Sequence, residues 1–161
     1  RCPCAIADDR DPSRDRDLAV GDSAVVGVSA SEASSGWLEA GGRVILRAGR
    51  CYRFTPSEPF EEWRDANVAA TPADGWTTCH MRIIEPLVRL VGARTCRAPM
   101  YALVGAIASN PVQVFPIGAS VDYTPSEDGA FSAFANDWPG FYGNNFGRLT
   151  LTIEALRGCS W

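Results

Sequence analysis

Ten residues near the C-terminal end carry most of the chemistry this 161-residue chain offers. The run Asn136-Asp137-Trp138-Pro139-Gly140-Phe141-Tyr142-Gly143-Asn144-Asn145 holds one carboxylate, three side-chain amides, two glycines and a proline. Oxygen donors gathered on a tight loop are what a hard cation such as Ca²⁺ requires. The glycines let the backbone turn so that carbonyls also face inward. The same composition suits a long turn in which Asn and Asp cap their own backbone. Both readings stay open on composition alone.

The other reactive side chains are sparse. Cysteines stand at 2, 4, 51, 79, 96 and 159, and His80 is the sole histidine. Zinc fails on spacing, because the close pair is Cys2-x-Cys4 and no CxxC occurs. An even number of cysteines reads instead as a disulfide set in an oxidising compartment. A chain that begins at Arg1 rather than Met fits this expectation through a removed signal peptide. Cys79–Cys96 is one expected bridge, since the two bracket one apolar run, and the others would pin the termini. Glu58, Glu61, Glu62 and Asp65 could pair on a glycosidic bond, but four acids on one polar stretch read more simply as a solvated face. All fifteen basic residues are arginine, so no lysine can serve as a Schiff base. No GxSxG elbow and no phosphate loop is present. The chain is expected not to be an enzyme.

Those residues need a scaffold, and the composition indicates which. Hydrophobic residues make up 46% and charged residues 21%, which excludes wholesale disorder. No run approaches the roughly 18–20 apolar residues of a membrane helix. A net charge of −4 with no basic block argues against nucleic acid. Apolar runs at 18–30, 37–54, 81–91, 100–107, 112–121 and 130–134 read as strands between Gly/Pro turns. The run 147–156 alternates cleanly, with Leu149, Leu151 and Ile153 on one face and Arg148, Thr150, Thr152 and Glu154 on the other. About eight strands and at most one short helix, over Phe60–Val68, make an all-β antiparallel sandwich. Residues 1–17 read as a polar arm, 18–161 as one domain, and 57–78 as a long inserted loop.

The stretch NDWPGFYGNNFGRLTLTI resembles the C-terminal motif of the bacterial galactophilic lectins of the LecA type. Their pattern is Asn-Asp, a Pro-Gly turn, Tyr-Gly-Asn-Asn, a glycine two residues on, then an alternating strand. Weaker similarity covers Ala102–Ile107, Phe115–Gly118 and Pro125–Phe131, so the resemblance spans roughly residues 40–157. It implies a small jelly-roll-like β-sandwich (galactose-binding-domain-like) in which one Ca²⁺ bridges protein and sugar hydroxyls. It implies side-chain oxygens from Asp137, Asn144 and Asn145, the carbonyl of Phe141, and a further carbonyl at Thr55 or its neighbour Phe54. Asp137, Trp138, Phe141 and Asn144 would contact a galactose-like or other glycan. The family's histidine and glutamine on an earlier loop have no match around Arg89–Thr95, and Trp138 and Phe141 replace smaller residues, either to stack on a sugar or to fill its place. Trp63 and Trp76 could add an aromatic wall or lie in the core.

The function expected is therefore a secreted, calcium-dependent carbohydrate-binding domain. The alternative is a calcium-stabilised, self-assembling extracellular filament or surface subunit, cross-linked through Cys2, Cys4 and Cys159 near its ends.

Overall fold

The structure is a computed structural model that describes residues 11–57 and 61–159, with the side chains of residues 61, 79, 80 and 91 outside the description. In chain order the strands are β1 (Arg16–Asp17), β2 (Ser23–Ser29), β3 (Trp37–Leu38), β4 (Val44–Leu46), β5 (Tyr52–Pro56), β6 (Glu61–Asp65), β7 (Val68–Thr71) and β8 (Gly75–Trp76). Helix α1 (Cys79–Gly92) follows, then β9 (Leu103–Ala108), β10 (Gln113–Pro116), β11 (Val121–Tyr123), β12 (Gly129–Ala135) and β13 (Asn145–Ala155). Two sheets face each other as a β-sandwich. One runs β1-β4-β12-β9-β10; the other runs β11-β5-β13-β6-β7-β8, with β2 and β3 continuing from β13.

The alternation of 147–156 is reproduced in burial. Leu149, Leu151 and Ile153 are buried, while Arg148, Thr150 and Thr152 are exposed. Their inner face meets Val26, Val28, Leu103, Ile107 and a ring cluster in which Phe54 lies 5.2 Å from Phe115 and 5.1 Å from Phe131. Burial of these side chains, each worth about 1.5–3 kcal/mol, is what holds the sheets together.

β13 is the organising strand. Leu151–Ala155 pairs with β5 on one side, and Arg148–Glu154 pairs with β2 on the other. Where β5 ends at Pro56, the edge of β13 is taken over by β6, with Asn145 opposite Asp65. A bulge at Gly147 makes this possible: its φ is +135°, and a Cβ there would lie 1.9 Å from the Glu62 carbonyl oxygen. Only glycine allows both the conformation and the approach.

Two expected elements change type. Residues 57–78 are not a loop with a short helix; Glu61–Asp65 and Val68–Thr71 form a hairpin that extends the sheet. Trp63 is buried between exposed Glu62 and half-buried Arg64, a period of two that helical spacing had obscured. Phe60, one anchor of the expected helix, lies outside the described residues. Conversely, 81–91 is helical rather than extended. Met81 and Val88 pack on the core, and Glu85 bonds the Met100 amide at 2.8 Å and faces Arg89 at 3.6 Å. Spacings of three and four put these on one face, and that packing outweighs the hydrogen bond lost at Pro86. No helix among the described residues is long and apolar enough to cross a membrane.

Cys51 and Cys159 form a disulfide that ties the C-terminal end to the start of β5. Cys159, one of the cysteines of the assembly reading, is thus engaged within its own chain. Cys96 carries an exposed, unpaired thiol, so the expected Cys79–Cys96 bridge is not formed. Cys96 sits in the loop after α1, with its Sγ 4.0 Å from the Arg89 carbonyl oxygen. Cys2 and Cys4 lie outside the described residues. The arm is docked from residue 11 onward: β1 pairs in parallel with β4, and the Arg43 amide donates to Asp15 at 2.9 Å.

Candidate functional site

The 136–145 loop leaves β12, makes a turn at Pro139-Gly140, and enters β13 through a single 3₁₀ turn at Tyr142–Asn144. Its frame is rigid. Asn136 is fully buried; its Nδ2 donates to the carbonyls of Thr95, Ala98 and Pro99, and its Oδ1 accepts from the Thr95 amide. Tyr142 donates its hydroxyl to the Ala135 carbonyl at 2.7 Å and accepts from Arg94 at 3.2 Å. Burial pushes the Tyr142 phenol up to about 12, so it remains a donor throughout the physiological range.

Asp137 is 5% exposed. One carboxylate oxygen accepts from the Trp138 amide at 2.7 Å, and the other from Asn145 Nδ2 at 2.9 Å. The same Nδ2 reaches the Ala30 carbonyl at 3.1 Å, while Asn145 Oδ1 is buried with no hydrogen-bond partner. Such an atom costs about 1–3 kcal/mol when left unsatisfied.

A second carboxylate faces the first. Asp65, at the end of β6, accepts from Asn144 Nδ2 at 3.2 Å and from the Trp76 indole at 3.3 Å. Asp65, Asp137 and Asn144 line one cavity of about 180 Å³, walled by Trp76, Val88 and Phe141. Burial raises both carboxyl pKa values above the usual 3.8, and the charge of Asp65 raises that of Asp137 further. Among the described residues no arginine lies within ion-pair distance of either. Two desolvated carboxylates and an orphaned amide oxygen, with no balancing cation among the described residues, are donors of the kind a hard divalent ion takes.

Of the residues named from the sequence, Asp137, Trp138, Phe141 and Asn144 line one cavity, and Asn145 adjoins it through its bond to Asp137. It does not bring Thr55. That residue pairs with Thr152, seven positions along β13 from Asn145, and Phe54 pairs with Ile153. The place expected of that strand is held by β6, so Asp65, read from the sequence as one of four solvated acids, instead lines the cavity. Of the two aromatic replacements, Trp138 is half-buried and leans on Gly92, where a Cβ would come within 2.4 Å of its ring. Phe141 stands 57% exposed, its ring edge-on to Trp138 at 5.5 Å. The pair therefore walls the cavity without filling it. Trp76 is part of that wall, whereas Trp63 is a core residue whose indole donates to the Tyr101 carbonyl at 2.9 Å. Gln113 is occupied by Tyr123 and Ser126, and the side chain of His80 lies outside the described residues.

The raised carboxyl pKa values set a pH dependence with a definite sign. In the metal-free protein, ionised Asp65 and Asp137 cost stability above their folded-state values. That cost is relieved as pH falls through those values toward 3.8. Chemical denaturation in chelator across this window should show a stability gain on the acid side that is smaller in Asp65→Asn. An identical pH profile in that variant contradicts the paired arrangement.

No protein-family model matches the chain, and no curated protein matches it. A solved structure described as "EclA N-terminal domain; PllA-like lectin" superposes with a TM-score of 0.55 at 18% identity, covering 81% of this chain and 94% of that one. The fold is thus a lectin-like β-sandwich, as the C-terminal resemblance implied, and at this identity the likeness concerns the fold.

Proposed function

We propose that the chain is a carbohydrate-binding domain of lectin type, without catalysis, that holds one calcium ion at the 136–145 loop and presents it to a sugar. The observation that carries this reading is the buried, unpartnered Asn145 Oδ1 beside two desolvated carboxylates that no arginine among the described residues balances. Side-chain oxygens of Asp137, Asn144 and Asn145 and the Phe141 carbonyl hold the ion, with Asp65 in the place expected of Thr55. Calcium, which takes about six to eight oxygens, supplies open coordination positions for two adjacent hydroxyls. The cavity of about 180 Å³ has room for the ion and a few hydroxyl-sized groups, not for a whole pyranose ring. The ring therefore sits at the rim, where exposed Phe141 offers an apolar face. The lectin-like fold supports the same reading. The Cys51–Cys159 disulfide supports placing the protein in an oxidising, extracytoplasmic setting.

A glycan array probed with calcium should return ligands bearing adjacent free hydroxyls, galactose-terminated ones among them, and the signal should vanish in chelator. A blank array from protein shown by calorimetry to be calcium-loaded overturns the sugar reading and leaves the metal site standing.

A further inference from the structure

The solvent face of the β2–β13 pair carries a second concave surface, a groove of about 710 Å³, within the roughly 300–1,000 Å³ of small-molecule sites. Its floor is one cross-strand row. Trp37 on β3 is opposite Gly27 on β2, and Gly27 is opposite Thr150 on β13. Thr150 exchanges two bonds with Ser57: its amide donates to Ser57 Oγ at 3.1 Å, and the Ser57 amide donates to its carbonyl at 2.8 Å. The row therefore reads ring, bare backbone, hydroxyl, hydroxyl.

Gly27 has no conformational reason to be glycine. Its φ lies outside the left-handed region, and a Cβ there would meet nothing nearer than the Trp37 carbonyl at 4.0 Å. Glycine inside a strand weakens it, and such a residue often marks a close approach by a ligand. Trp37 is fixed from one side. The buried Arg43 guanidinium lies 3.5 Å from the ring centroid and is held by Ser34 Oγ at 3.0 Å and by the Ser35 carbonyl. At the rim, exposed Glu32 and Arg148 offset each other in charge while offering acceptors and donors. A preset aromatic ring, a flat floor, short hydroxyls and, among the described lining residues, no net charge suit a neutral polyhydroxylated ligand, not an anion or a charged peptide.

We propose that this groove is a second sugar-binding site, independent of calcium, for a neutral oligosaccharide. One ring stacks on Trp37 across Gly27, and its hydroxyls reach Thr150 and Ser57. The proposal does not rest on the calcium reading, because the groove contains neither Asp65 nor Asp137.

The test is amide NMR on the whole chain in excess EDTA, titrated separately with lactose, maltotetraose, cellotetraose and mannotetraose at millimolar concentration. At least one sugar should shift the Gly27, Ser29 and Thr150 amides. Gly27→Leu, which fills the floor with space to spare, should weaken that binding at least tenfold with an unchanged melting temperature and calcium affinity. Trp37→Ala should weaken it similarly. The proposal is overturned if none of the four sugars moves those amides in EDTA, or if Gly27→Leu binds as the wild type does. It is equally overturned if Gly27→Leu changes only the oligomeric state, which would make the groove a contact between copies. Shifts confined to the 136–145 loop and dependent on calcium would sink the groove and leave the calcium site intact.

Discussion

Asp137→Asn is expected to abolish calcium binding. In the wild type, calcium at a hundredfold over its Kd should add about 2.7 kcal/mol of stability if the ion binds only the folded chain. The variant should show none of it. Asp137 is the most buried carboxylate of the cavity and the one bonded to Asn145, so its charge is the centre of the donor set. Asp65→Asn should behave differently. Asp65 is half-buried and shares its charge with the indole of Trp76. Its loss should weaken calcium roughly ten- to a hundredfold, in the range of perturbing one partner of a metal site. In chelator the same variant should be no less stable than the wild type, because it removes one of two mutually repelling carboxylates. Calorimetry and calcium-dependent melting read both effects, and an unchanged calcium affinity in Asp137→Asn rules out this loop as the metal site.

Reducing the Cys51–Cys159 bond, or replacing both cysteines by serine, should cost more than any surface substitution. The two are 108 positions apart. Closing a loop of about 100 residues is worth up to about 4.7 kcal/mol in chain-entropy terms, and measured bridges usually deliver about 2–4. We expect a loss of about 3–4 kcal/mol and a fall in melting temperature on the order of 10 °C. The bond extends the link between the end of β13 and β5 beyond the last backbone bond, in which the Leu156 amide donates to the Cys51 carbonyl at 2.9 Å. Cys96→Ser serves as the control, since that thiol is exposed and unpaired. Equal melting of the oxidised and doubly substituted proteins excludes a stabilising role for the bridge.

Asp65 shows where legibility in the sequence stops. Read as part of a polar loop or a short helix, residues 60–68 place it among solvated acids. Read as a strand, Trp63 and Asp65 share a face, and a buried Trp63 turns Asp65 inward. Five residues carry too few periods to separate the two patterns, and the deciding contact is with Asn145, 80 positions away in the chain. Thr55 lies away from the loop for the same reason. The strand beside the loop is decided by where β5 stops at Pro56 and β6 takes over.

The sequence by itself determined the donor composition of the 136–145 loop, the alternation of the last strand and the all-β class. Each of these is local: side-chain oxygens on a glycine turn, and a period of two over ten residues. The tertiary structure alone decided that 81–91 is helical, that Asp65 completes the cavity, that Cys51 pairs with Cys159, and that Trp37 and Thr150 border one groove. In every one of these the deciding energy is a contact between distant residues: Met81 and Val88 on the core, β6 on the free edge of β13, one chain end against β5. The short periods in the segments that make such contacts do not choose between helix and strand, because burial against a partner outweighs local propensity only once the partner is in place.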